Sequence, residues 1–126
     1  MGIACQALYG PIAERTLELL AEYERAASAL LAPTLDLDAY ARASELFDDA
    51  QLLATDLPEA RVAWVEVLIS RFEMTHALWL SGRSTADEET IRALAARHLA
   101  ALERFRGKCA RAYCGVAHAP DDLQAM

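Results

Sequence analysis

Between Pro58 and Ser81 the chain is apolar on two sides of what reads as one helix, and this restricts the fold more than any other feature. At about 100° per residue, Val62, Val65, Ile69, Phe72, His76 and Trp79 form one stripe. Trp64, Val67, Met74 and Leu78 form a second, with Arg71 among them. A helix in a small bundle needs one apolar stripe. A single chain of 126 residues makes one domain with one core, so one of the two stripes is expected to face outward. Trp, Met and Arg are the side chains that interface centres favour. The second stripe, Trp64, Val67, Arg71, Met74 and Leu78, is therefore the expected interface. The alternative is that Met1 to Tyr9, carrying Ile3 and Leu8, folds over the outward face.

Punctuation supplies three further helices. Gly10-Pro11 opens the first, which runs to about residue 32 and stops before Pro33. Asp36 or Asp38 caps a second over about 37–55. The two-striped helix covers 58–81. Thr85 with Glu88 makes a capping-box pattern for a fourth over about 86–114, with Gly115 as its cap and residues 116–126 as a tail. Hydrophobic residues make up 55% of the chain and lean on Ala and Leu, which suits helices. Four helices of similar length with short links predict an all-α, antiparallel up-down four-helix bundle spanning residues 1–126. Tyr40, Ala43, Leu46, Phe47, Ala50, Leu53 and Leu57 are the expected buried side of the second helix. Ile91, Leu94, His98, Leu102, Phe105, Cys109 and Ala112 are that of the fourth.

Charge is segregated along the chain. Residues 34–60 hold seven acidic groups against Arg42, and residues 91–111 hold six basic groups against Glu103. Asp38, Glu45, Asp49 and Asp56 line one acidic face; Arg97, Arg104, Lys108 and Arg111 line one basic face. Glu14, Glu18 and Glu22 repeat at a spacing of four and are the expected internal partners of the basic face. The helix-two acids and the basic face are either two solvated faces, the usual fate of charge runs, or the acids meet a basic partner, such as helix four of a second copy. The net charge of −7 speaks against nucleic acid or an anionic membrane as the target. Glu66, Arg71 and Glu73 speak against a membrane span through 62–80. No basic-then-apolar leader is visible, and Gln6 breaks the myristoylation pattern after Gly2. Cys5, Cys109 and Cys114 are an odd set without regular spacing, which reads as reduced thiols in a cytoplasm.

Chemical constellations are sparse. Glu73-Met-Thr-His76 resembles the Glu-x-x-His element of ferritin-like di-iron bundles. The second element is missing, because Ala95 stands three residues before His98. Cys109, Cys114 and His118 are donors of the right softness for zinc or copper but lack a fourth ligand. His76-Ala-Leu resembles the phosphorylated segment of histidine phosphotransfer bundles, with Trp79 and Leu80 in place of its Lys and Gly. Arg71-x4-His76 and Arg92-x5-His98 resemble the Arg-His spacing of all-helical ribonuclease toxins, with Phe72 and Ala93 where a polar residue belongs. No catalytic residue, metal or cofactor is assigned, and an enzyme is the least expected class.

The residues thus lead to a cytoplasmic protein-interaction module, self-associating as a homodimer or acting as an adaptor. In architecture it resembles the small acidic helical secretion chaperones and adaptors of bacteria. The second reading is a ligand-binding or regulatory domain with a pocket at Phe72, His76 and Trp79 between helices three and four. The third is a metal-binding or phosphotransfer-like bundle using His76 and Glu73.

Overall fold

The computed structural model describes residues 2–28, 36–81 and 88–114, without the side chains of 2–8, 80, 81 and 114. The described residues form an all-α bundle with no strand. Its helices are α1 (Gly2–Ser28), α2 (Leu37–Ala54), α3 (Arg61–Ser81) and α4 (Glu88–Cys109). A 3-10 turn at Pro58–Ala60 leads into α3, and a π-helical turn at Ala110–Cys114 continues α4.

Local chemistry accounts for most boundaries. Asp36 accepts the N–H groups of Asp38 at 2.9 Å and Ala39 at 3.2 Å, which caps α2 through its side chain. Pro58 opens the 3-10 turn, where its missing N–H costs nothing. The expected start of the first helix at Gly10-Pro11 needs correction, because α1 begins at Gly2 and carries Pro11 inside it. Proline removes one intrahelical hydrogen bond there, but Ala4, Gln6, Ala7 and Leu8 are strong helix formers on its N-terminal side. The helix also passes through Gly107 without a break; the Arg111 guanidinium lies over that residue. The Pro33 boundary, the Thr85–Glu88 capping box, the Gly115 cap and the tail fall outside the described residues.

The core follows the expected faces of α2 and α4. Ala43, Leu46, Phe47 and Ala50 are buried from α2, and Ile91, His98, Leu102, Phe105 and Cys109 from α4. Leu19, Leu20 and Tyr23 join them from α1. Each fully buried Leu or Phe contributes roughly 1.5–3 kcal/mol of transfer free energy. Tyr113, delivered by the π turn, ties three elements at one end. Its hydroxyl accepts the Glu59 N–H at 2.6 Å, and its ring meets Tyr9 edge-on at 5.5 Å between centroids. The segment before Tyr9 is part of α1, and α1 packs mainly on α2 and the π turn rather than on α3.

Candidate functional site: the outward face of α3

Two sides of α3 are apolar, as expected, but the faces are exchanged. Trp64, Val67, Met74 and Leu78 are buried in the chain's own core. Trp64 stacks on Phe47 and tilts against Phe105. Arg71 is half-buried and turns toward α2 instead of standing out as an interface anchor. Its guanidinium lies 4.3 Å from the centre of the Phe47 ring and donates to Ser44 Oγ at 3.1 Å. A guanidinium over an aromatic face is attracted by the ring quadrupole, so the charge has a place inside. The expected interface set Trp64, Val67, Arg71, Met74 and Leu78 is thus the inner face.

The outer face is the other stripe. Val62 is 77% exposed, Phe72 68% and Ile69 53%, with Val65 and Trp79 close to half exposed. His76 is exposed between them and stacks flat on Phe72, with ring centroids 5.8 Å apart. These positions follow the spacing 3-4-3-4-3. In a seven-residue register Val62, Ile69 and His76 are a positions, and Val65, Phe72 and Trp79 are d positions. This is the spacing of a helix–helix seam, and it lies on the surface. Residues at register e and b turn toward α4. Glu66 pairs with Arg104 at 3.0 Å and Glu73 with Arg97 at 3.2 Å, and Ser70 reaches His98. Residues at register c turn toward α2, where Arg71 meets Ser44 and Trp64 meets Phe47. The seam therefore points away from the core, with α2 behind one flank and α4 behind the other.

Phe72, His76 and Trp79 do not enclose a pocket between α3 and α4. They stand on the outer surface, with Trp79 leaning edge-on against Tyr40 of α2 at 5.3 Å. Open grooves do run between α3 and α4, walled by Glu66, Arg104, Lys108 and Arg111 over a floor that includes Ala63 and Ala101.

The charged faces are exposed, but the pairing differs from expectation. Asp38, Glu45, Asp49 and Asp56 lie at the surface, as do Arg97, Arg104, Lys108 and Arg111. Arg97 and Arg104 pair with α3 rather than with the acids of α1. Glu18 instead pairs with Arg15, and Glu22 with Arg42 of α2. The α1–α4 ion pair is Glu24 with Arg106. Two residues at the α3–α4 contact, Glu66 and Glu73, supply what Glu14, Glu18 and Glu22 do not, because α3 packs flush against α4.

Among the weak chemical candidates, Glu73 is engaged by Arg97 and Cys109 is buried. The Cys114 side chain and His118 lie outside what is described. No group of three or more His, Cys, Asp or Glu residues is poised for a metal ion among the described residues. No described helix is long and apolar enough to cross a membrane.

Inside the bundle sits a polar chain that composition alone does not reveal. Tyr23 Oη and His98 Nε2 are 2.7 Å apart. His98 Nδ1 and Ser70 Oγ are 2.8 Å apart. Ser70 donates to the Val67 carbonyl at 3.0 Å. Ser70 has one proton, which goes to Val67, so Nδ1 carries the imidazole proton and Nε2 accepts from Tyr23. Burial pushes the His98 pKa down to about 4, and the nearby Arg71 charge adds to this. Burial pushes Tyr23 up to about 12, partly offset by the Arg71 charge. All three groups are buried, so the chain clamps α1, α3 and α4 together as neutral partners.

No protein-family model matches the chain, and no curated protein or solved structure shows significant similarity to it.

Proposed function

We propose that this chain is a protein-interaction module and that its docking face is the outward stripe of α3. The observation that carries the reading is the exposure of Val62, Val65, Ile69, Phe72 and Trp79 at seam spacing on one helix. Scattered exposed apolar residues need no explanation, whereas a contiguous row points to a covered surface. The chemistry it suits is a second amphipathic helix presenting a similar row.

The test uses a photo-crosslinking benzoylphenylalanine at position 72 in cells producing the full chain. Leu52 on α2 is 72% exposed and serves as the control position. A discrete protein adduct from position 72, absent from position 52, is the expected result. Equal or no adduct at both positions overturns the reading.

A further inference from the structure

We infer that the helix received by the α3 seam is α3 of a second copy, parallel and in register. This rests on the reading of the outward stripe as a docking face.

Two features of the chain choose the partner and its direction. The first is the a layer. Val62 and Ile69 are β-branched, which within a parallel pairing favours two strands, over a d layer of Val65, Phe72 and Trp79. A parallel pair stacks each a residue on its own copy, with His76 facing His76. One polar a position penalises slipped registers that would bury it against an apolar layer.

The second feature is charge beside the seam. Arg61 occupies a g position and makes no ion pair with a described residue, while Glu66 occupies the e position five residues later. In parallel coiled coils the g side chain of one helix meets the e side chain five residues on in its partner. Arg61 of each copy then meets Glu66 of the other, twice over. An antiparallel pair instead matches e with e. It would set Glu66 of one copy against Glu73 of the other, twice, and like charges in contact disfavour it. Glu66 holds Arg104 through one oxygen, and its half-exposed carboxylate has a second one for Arg61. A two-fold pairing of this kind is closed, so the seam is used up at the dimer.

The experiment places single cysteines at the seam of the full chain, Val65→Cys and His76→Cys. Each is oxidised mildly, and cross-linked peptides are identified by mass, which separates them from those of Cys5, Cys109 and Cys114. The two positions are 11 residues apart, about 16 Å along the helix. A disulfide needs Cα atoms within about 7 Å. The parallel dimer gives 65–65 and 76–76 disulfides when each variant is oxidised alone. A 65–76 disulfide, formed only when the variants are mixed, overturns the parallel arrangement and leaves the docking face standing. No seam disulfide, with the position-72 probe captured on a different protein, overturns the second copy as partner. No adduct from position 72 removes the docking face itself. Arg61→Glu weakens the dimer by about threefold to tenfold, and adding Glu66→Arg restores it. Equal dimer affinity for wild type and Arg61→Glu at low salt removes the charge argument.

Discussion

Removing the buried imidazole should change how the fold responds to acid, and the size of the change follows from where His98 sits. Its folded pKa is about 4 against an ordinary 6.5, so the folded protein holds it neutral. The unfolded chain takes up its proton first as pH falls. The contribution is fully present above pH 6.5 and is lost as pH falls from 6.5 to about 4; below that both states are protonated. A shift of this size corresponds to about 3 kcal/mol, a large fraction of a small domain's stability. The perturbation is the pair Tyr23→Phe with His98→Leu. Changing both partners removes both ends of the Tyr23–His98 contact, and Ser70 keeps its bond to the Val67 carbonyl, so the cost at pH 7 is small. The assay is urea unfolding followed by circular dichroism at pH 7, 5.5 and 4, at one protein concentration. Carboxylates titrate in both proteins and drop out of the difference. The double variant should gain about 3 kcal/mol relative to wild type between pH 7 and pH 4. A difference that stays flat would show that His98 is accessible to protons in the folded state, and the buried chain would be wrong. The alkaline side gives an independent check. Tyr23 is raised to about 12, so its contribution is present below pH 10 and is lost as pH rises from 10 to 12.

The two faces of α3 should answer oppositely to the same substitution. Met74 is 4% exposed, so Met74→Glu buries a charge without a partner and costs roughly 3–5 kcal/mol, read as loss of helical signal or a collapsed melting temperature. Phe72→Glu should stay within about 0.5 kcal/mol of wild-type monomer stability while abolishing the rise of mass with concentration that the proposed dimer would give in sedimentation. The reverse ordering would restore the inner stripe as the interface. Tyr113→Phe strips the acceptor from the Glu59 N–H and should cost about 1 kcal/mol in a urea melt, with no change in association.

Helix content, the buried sides of α2 and α4 and the Asp36 cap are legible in the residues because each rests on local spacing. His98 is also legible as a core histidine, from its place on the α4 stripe. The reach of α4 to Cys114 is legible too, but the π turn is not, since the partner of Tyr113, Glu59, lies 54 residues away in the sequence. The direction of α3 is the larger miss. Trp64, Met74 and Arg71 resemble an interface only while Arg71 is assumed to need water. Phe47 and Ser44, both on α2, supply its site inside, and nothing within α3 announces them.

Those internal polar contacts explain why the chain can keep an apolar row on its surface at all. Both stripes of α3 are apolar, and roughly a half-turn about the helix axis would exchange them. The rotation is resisted because Ser70 and Arg71 have fixed appointments on either side of the inner face. Ser70 must reach His98 on α4, and Arg71 must reach Ser44 and the Phe47 ring on α2. Turning α3 over would separate His98 from Ser70, leave a buried imidazole proton without an acceptor, and take Arg71 off its ring. Each buried polar group stranded in this way costs about 1–3 kcal/mol. The buried polar chain thus acts on specificity more than on stability. It follows that Tyr23→Phe with His98→Leu, nearly neutral for stability at pH 7, should loosen the choice between the two faces. The measurement is fluorescence quenching by a neutral solute. At a concentration low enough to keep the chain monomeric, the half-exposed Trp79 of wild type is quenched and the buried Trp64 is not. In the double variant the two tryptophans should become more alike. If Trp64 stays as protected as before, the Tyr23–His98–Ser70 chain does not orient α3, and packing together with the Arg71 site does.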